Sequence, residues 1–231
     1  MTGTSVGQVW TIVVAAGQGT RFGGDVPKQL LPLGDRRVLD WSLSAASAAG
    51  DGVVLVGPPG EAPPVDGDVL DGVPLVVTEG GAERTDSVRA GLAVLPAEVE
   101  VVCVHDGARP LASVALFERV VAAVRAGADG AVPGVAVTDT IKRVRADGSV
   151  VQTLPRAELR AVQTPQAFTV RALREAHAGG GDATDDAALV EAAGGRVVVV
   201  EGDPVNVKLT RPGDLPRLEA LLAEHPPVAV E

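Results

Sequence analysis

Two cations and a run of glycines open the chain. Residues 13–30 read VVAAGQGTRFGGDVPKQL, in which an apolar segment, residues 9–16, meets a turn holding Gly17, Gly19, Gly23 and Gly24, with Arg21 and Lys28 close by. Glycine lets backbone N–H groups approach an anion that a Cβ would hold away. Two full positive charges add what N–H dipoles cannot supply against a polyphosphate. Two better-known glycine loops do not fit. A dinucleotide fingerprint needs glycine where Phe22 stands, and a G-x-x-x-x-G-K-[ST] loop needs lysine directly after its second glycine, whereas Lys28 lies four residues beyond Gly24. The plain alternative is an ordinary glycine-rich turn after a strand.

Three further segments carry groups of the same kind. EGGAERTDSV, residues 79–88, sets Gly80 and Gly81 before Ala82, Arg84 and Ser87. Asp86 or Ser87 capping the next helix, with Arg84 solvated, also accounts for it. HDGARP, residues 105–110, offers Asp106, a carboxylate able to approach a magnesium ion bound to phosphates. Magnesium favours one or two carboxylates plus phosphate oxygens and water. A surface pair of Asp106 with Arg109 is the dull alternative. VTDTIKR, residues 137–143, adds Thr140 and Lys142. His105, His177 and His225 lack the spacing of zinc ligands, and no Ser-His-Asp or Cys-His grouping stands out.

These groups must be held by a framework, and composition limits it. The 231 residues, 46% of them hydrophobic with mean hydropathy +0.24, make one substantial α/β domain over residues 1–231. A formal charge of −10 argues against a nucleic-acid partner, so a small anionic substrate needs a locally basic pocket. Of 20 basic residues only Lys28, Lys142 and Lys208 are lysines, and such positions suit a compact point charge where a planar fork would not fit. The one cysteine, Cys103, sits in the apolar run VVCVH and reads as a small buried hydrophobe. No basic residue precedes Arg21, so the start does not read as a signal peptide, and no stretch has the length of a membrane span. A cytoplasmic protein is expected.

Strand and helix signals alternate along the chain. A helix from about Val38 carries Leu39, Leu43 and Ala46 on one stripe and ends at Gly50; residues 52–57 and 74–81 read as strands around a proline-rich connection, residues 58–72. A helix over residues 86–95 precedes a strand within residues 99–110, a helix capped by Ser113 and stopped at Gly127, and a strand in GAVPGVAV. Such alternation implies a mostly parallel sheet with helices on both faces. Residues 140–145 and 150–154 flank Asp147-Gly148, a strong hairpin signal, which reads as an arm over about residues 138–157 needing a partner surface. Helices near residues 170–177 and 185–193, strands RVVVV and NVKLT, and a helix over residues 213–224 complete the reading. Ligands in open α/β sheets sit outside the carboxyl ends of the strands, so the loops at residues 17–28, 79–87, 105–110 and 138–143 are expected to converge.

A family resemblance adds to this. AAGQGTRF followed by PKQ resembles the signature loop of the nucleotide-sugar-type nucleotidyltransferases, in particular the cytidylyltransferases acting on small polyol phosphates. EGGAERTDSV resembles their G-G-x-x-R-x-x-S-V segment, Thr164-Pro165-Gln166 their T-P-Q, and Thr184-Asp185-Asp186-Ala187 their T-D-[E/D]-A. NVKLTRPGDL, residues 206–215, resembles N-I-K-x-T-x-P-x-D-L, although Val205 stands where some members have an acidic residue. Seven matches in order cover essentially the whole chain. Asp139-Thr140-Ile141-Lys142 is similar to the element of the enzymes acting on methylerythritol phosphate, with ribitol 5-phosphate as the alternative acceptor.

The resemblance implies a single Rossmann-like α/β nucleotidyltransferase domain with a projecting β-hairpin arm. It implies transfer of CMP from CTP to the acceptor's phosphate with Mg²⁺ as cofactor. Arg21, Lys28 and Lys208 would be catalytic; Ala15, Ala16, Gly17, Gly19, Gly80, Gly81, Ala82, Ser87 and Asp106 would bind the nucleotide, Asp106 also placing the metal. Arg109, Thr140, Arg156 and Thr184 would hold the acceptor. The expected partners are CTP, a small polyol phosphate and a second copy joined through the arm, with no nucleic acid and no membrane. A catalytically silent nucleotide-binding protein is the rival of another class.

Overall fold

Valine-rich runs that alternate with amphipathic segments give this chain its layers. The computed structural model describes residues 7–17, 26–60, 65, 67–179 and 183–225. Strand β1 (Gln8–Val14) is followed by the short strands β2 (Pro32–Leu33) and β3 (Arg36–Arg37), then helix α1 (Val38–Ala48). Next come β4 (Gly52–Gly57), β5 (Val69–Leu70), β6 (Val73–Glu79), α2 (Arg84–Ala93), β7 (Val99–Asp106), α3 (Val114–Arg125) and β8 (Gly130–Ala136). A hairpin of β9 (Lys142–Val144) and β10 (Val150–Thr153) precedes β11 (Arg160–Val162) and β12 (Gln166–Thr169). The chain closes with α4 (Val170–Ala178), α5 (Asp186–Ala192), β13 (Val197–Glu201) and α6 (Asp214–Glu224).

Among the described residues the main sheet runs β11-β8-β12-β7-β1-β4-β6-β5, with β13 on β8. Pairs β1–β4, β1–β7, β4–β6 and β8–β13 are parallel, while β12, β11 and β5 run against their neighbours. Every residue of β4 is buried, as a central parallel strand covered on both faces requires. The period of two sorts the side chains of β1. Trp10 and Ile12 face a core shared with Val88 and Leu92 of α2, Leu173 of α4 and Val190 of α5. Val9 and Val13 face Leu39 and Leu43 of α1 with Phe117 and Val120 of α3. A smaller cluster sets Leu218 of α6 on Leu33, Val38 and Leu209. This is the mostly parallel, helix-flanked α/β sheet that the alternation implies.

Two local expectations are corrected and two features are added. NVKLT is not a strand, because its backbone groups serve other partners: the Leu209 N–H donates to Ala108 O at 2.8 Å, and the carbonyls of Asn206 and Leu209 accept from Arg109 and Lys28. Residues 160–169 hold two strands that polar Gln163, Thr164 and Gln166 disguise; β12 is inserted antiparallel between β7 and β8. Helix α2 starts at Arg84, with Glu83 as its N-cap, and the Glu83 N–H donates to the Asp86 carboxylate at 3.2 Å. Arg156, within the expected arm, opens a single 3-10 turn past β10.

The hairpin forms as its turn chemistry predicts. Gly148 has φ +83°, and its N–H donates to Arg145 O at 3.0 Å. Strands β9 and β10 pair only with each other, and every one of their residues is exposed. Among the described residues no helix is long and apolar enough to cross a membrane.

Cys103 lies in β7 with no exposed surface, and burial pushes its thiol up to about 12. The native protein is therefore expected to leave Ellman's reagent unreacted at pH 8 and to release one thiol's worth of colour only after unfolding in urea. Rapid reaction without denaturant would contradict the placement of β7.

Candidate active site

The loops that leave the carboxyl ends of β1, β6 and β7 are each tied to the end of a neighbouring strand by a backbone hydrogen bond. The Ala15 N–H donates to Val56 O at 2.8 Å, the Gly80 N–H to Gly57 O at 2.8 Å, and the Gly107 N–H to Val14 O at 3.0 Å. Between them opens a cavity of about 280 Å³. Its wall includes Ala15, Ala16 and Gly17 after β1, Gly81, Ala82, Arg84 and Ser87 after β6, and Asp106 at the end of β7. Lys28, Gln29, Lys208 and Thr210 close the other side. Among the described residues, the ends of the first expected loop (Gly17 and Lys28), the second loop and the start of the third line the cavity together. The fourth, residues 138–143, leaves with the arm and does not line the cavity, because its strand pairs outside the main sheet.

Small residues let these loops approach. A Cβ on Gly80 would come 2.5 Å from Ser87 Oγ and 2.8 Å from Ala16 Cβ, and one on Gly81 would collide with Asp86. Gln29 is buried, and its amide donates to Ala15 O at 2.7 Å and to Gly17 O at 3.4 Å, so it fixes the start of the glycine loop from below. Lys28 donates to Leu209 O at 2.6 Å, which ties the turn after the glycine loop to residues 206–210.

Charge is concentrated on Asp106. Lys208 Nζ lies 2.6 Å from Asp106 Oδ2, Arg109 Nε lies 3.8 Å from the same oxygen, and Arg84 Nε lies 3.7 Å from Oδ1. Burial alone would raise the carboxyl's pKa; Lys208, Arg84 and Arg109 outweigh it and bring the value down to about 2. Arg84 is also buried against its charge, and Asp186 and then Asp106 more than offset that, so its pKa is raised. For Arg109 burial prevails over Asp106 and its pKa is lowered. Behind the carboxylate, the Asp106 N–H donates to Thr164 Oγ1 at 3.0 Å, and that hydroxyl lies 3.1 Å from His105 Nδ1. His105 Nε2 is 3.3 Å from Arg109 O. Burial pushes the imidazole down to about 4. A neutral ring that donates from Nε2 and accepts the Thr164 hydroxyl at Nδ1 satisfies both contacts.

The residues singled out from sequence fall into three groups. Ala15, Ala16, Gly17, Lys28, Gly81, Ala82, Ser87, Asp106 and Lys208 come together on the wall, with Gly80 packed behind Ser87. Gly19 and Arg21 lie outside the described residues. Arg109, Thr140, Arg156 and Thr184 do not line the cavity. Arg109 is turned inward and donates to Asn206 O at 2.8 Å. Arg156 donates to Thr138 O at the base of the arm, Lys142 donates to Thr153 Oγ1 across it, and Thr184 is exposed ahead of α5. Sequence reasoning assigns no role to Gln29 and allows Arg84 to be solvated. The arginine's place inside G-G-x-x-R is the available signal. Among the described residues no group of three or more His, Cys, Asp or Glu gathers as metal ligands, and Asp106 is the carboxylate at the centre of the basic wall.

With that geometry, comparison with known proteins is informative. The profile of the family described as 2-C-methyl-D-erythritol 4-phosphate cytidylyltransferase matches residues 9–224. The chain is 45% identical over 222 residues to the protein of that name from Prochlorococcus marinus (strain MIT 9313), covering 92% of this chain and 97% of the other. Against that of Rhodococcus jostii (strain RHA1) identity is 46%, covering 94% and 96%. It is 44% identical to the bifunctional enzyme IspD/IspF of Solidesulfovibrio magneticus over 96% of its own length, spanning 58% of that longer chain. The crystal structure of the 2-C-methyl-D-erythritol 4-phosphate cytidylyltransferase from Thermus thermophilus matches with TM-score 0.76 at 37% identity, covering 92% of this chain and 98% of that one. The chain belongs to the 2-C-methyl-D-erythritol 4-phosphate cytidylyltransferase family.

Proposed function

We propose that this protein transfers CMP from CTP to 2-C-methyl-D-erythritol 4-phosphate, releasing pyrophosphate, in the cytoplasm where nucleoside triphosphates are available. The observation that carries the reading is the union of a glycine-lined wall, Lys28, Lys208 and Asp106 in one cavity at the strand ends. In the reaction a phosphate oxygen of the acceptor attacks the α-phosphorus of CTP in line, the new P–O bond forms, and the bond to the β-phosphate oxygen breaks. The electron pair leaves with pyrophosphate. Both reactants are anions, so the protein's task is to position them and offset their charge.

Gly80, Gly81, Ala82 and Ser87 are assigned to the pyrimidine nucleoside, because main chain approaches closely there. Ala15, Ala16, Gly17 and Gly19 are assigned to the triphosphate, with Arg21, Lys28 and Lys208 offsetting its charge. Lys208 spends one donor on Asp106 and, being partly exposed at the cavity, keeps others for a phosphate. A single ionised carboxylate beside a phosphate site fits magnesium, which takes few protein ligands and completes its shell with phosphate oxygens and water. Asp106 would hold it. Such an ion would supply charge that offsets the triphosphate. Arg109, Thr140, Arg156 and Thr184 are assigned to the acceptor.

Thr140 and Arg156 sit on or beside an arm away from their own cavity. Ile141, Val144, Val150 and Val151 of that arm are exposed apolar side chains. Both facts support a two-fold dimer in which each arm reaches the other subunit's cavity, since such an interface is reciprocal.

Three outcomes are expected. Pyrophosphate release from CTP should be far faster with methylerythritol phosphate than with ribitol 5-phosphate or other polyol phosphates; equal or reversed kcat/KM values would sink the acceptor assignment. Lys28→Ala or Lys208→Ala should lower kcat by roughly 10², the scale of losing a preorganised transition-state contact. A variant that loses only CTP affinity at normal kcat would mark uniform binding instead. Co-refolding inactive Arg156→Ala with inactive Lys28→Ala should restore roughly a quarter of wild-type activity, because half the randomly paired dimers are hybrids with one intact site. An inactive mixture in which mass analysis confirms hybrids means that Arg156 serves its own cavity.

A further inference from the structure

Arg84, the first residue of α2, lies beside two carboxylates, each near a different nitrogen of its guanidinium. Its Nε lies 3.7 Å from Asp106 Oδ1, and its Nη1 donates to Asp186 Oδ2 at 2.5 Å. Asp186 opens α5 and has no exposed surface. Its other oxygen lies 3.0 Å from Nε2 of the buried His177 on α4. The consecutive helices α4 and α5 are thus joined to α2 and to the end of β7 in one chain of contacts that ends on the cavity wall.

The fold does not need a carboxylate at position 186. The N-cap of α5 is Asp185, which accepts the Ala188 N–H at 3.0 Å and the Gln166 amide at 2.9 Å. A buried ion pair is seldom worth more than apolar side chains of similar size, because desolvation consumes most of the attraction. Helices α4 and α5 already meet through an apolar core, Leu173 and Val190 among its members. What a charged Asp186 adds is direction. An arginine side chain has many rotamers, and a guanidinium bonded at one nitrogen to a fixed carboxylate keeps one of them.

We infer that Asp186, itself held by His177, is a positioning residue for the transfer reaction: it fixes the Arg84 guanidinium in the cavity wall beside Asp106. The reaction it serves rests on the cytidylyltransferase reading above. The anchoring rests on the contacts alone. An Arg84 released from Asp186 leaves the cavity with one cation free to swing. That weakens a preorganised field more than it weakens ground-state binding, so kcat falls more than KM changes.

Turnover with CTP and methylerythritol phosphate tests this, beside urea midpoints and the arginine Nε–H resonance that disappears in Arg84→Gln. Arg84→Gln and Asp186→Asn should each lower kcat about tenfold or more with KM for CTP changed less than about threefold. The double variant should be no slower than the slower single one, since both substitutions break one unit. His177→Gln keeps an N–H toward Asp186 and should recover most of the activity that His177→Leu loses. The Arg84 resonance should stay sharp in His177→Gln and broaden in His177→Leu. Multiplying effects in the double variant, a wild-type kcat in Arg84→Gln, or equal losses in the two His177 variants overturn the inference. If Asp186→Asn does not fold, the His177 pair decides. If the wild type releases no pyrophosphate with any polyol phosphate, the reaction reading falls while the resonance still decides the anchoring: an unchanged Arg84 signal in His177→Leu overturns it.

Discussion

Asp106 must stay ionised at the end of a buried central strand, and much of the chain is arranged around that requirement. Desolvation alone would favour its neutral form. Three cations prevent this, and each comes from a different segment: Arg84 from α2, Arg109 from the turn after β7, Lys208 from residues 206–210. Each cation is in turn held. Arg84 is fixed by Asp186 and Arg109 by the Asn206 carbonyl. The segment bearing Lys208 is pinned by the Asn206 amide, which donates to Thr164 O at 2.8 Å, and by the Leu209 N–H on Ala108 O. This accounts for the missing strand at NVKLT, whose polar backbone groups are committed to the site. It also yields a locally basic cavity in a chain of net charge −10, since Lys28, Arg84 and Lys208 outnumber Glu83 and Asp106 on the described wall.

Legibility from sequence follows the range of the interaction involved. Elements set by local period read well: α1 starts at Val38, β4 spans Gly52–Gly57, and Gly127, with φ +103°, follows the end of α3. The glycine pair Gly80-Gly81 and the Asp147-Gly148 turn are legible because backbone geometry there excludes most other residues. Strand β12 escapes such a reading because its hydrogen bonds come from β7 and β8, far away in sequence, while its own four residues hold only two apolar ones, Ala167 and Phe168, directly after Pro165. Arg84 is ambiguous for the same reason. Nothing local distinguishes a solvated arginine from one clamped by a carboxylate 102 residues downstream.

The arm illustrates the limit from the other side. Its strands are legible from the turn, and its isolation from the main sheet follows from a pattern that fits no parallel ladder. A two-stranded hairpin alone is marginal in water, and this one exposes Val144 and Val150 by more than half. Within one chain those side chains gain nothing from being apolar. The apolar faces therefore argue for a partner surface, and the position of Thr140 and Arg156 on or beside the same arm argues that this surface belongs with a cavity.

The residue set also decides which chemistry the cavity supports. Cys103 is buried in β7 with its thiol pushed up to about 12, and His105 is buried and neutral behind Thr164. Ser87 spends its hydroxyl on Glu83 O at 3.3 Å, and no described base reaches it to raise its nucleophilicity. The pKa of Asp106 is held down to about 2, so at neutral pH it has no proton to give and is a poor general acid. Cys103, His105 and Ser87 are thus not placed to act as covalent nucleophile or proton relay. What remains is fixed positive charge and close main-chain approach. A phosphate oxygen is already a nucleophile at neutral pH and pyrophosphate already a stable leaving group. Direct transfer between two bound phosphates is thus the group transfer that this wall, with no proton to move, is equipped to accelerate.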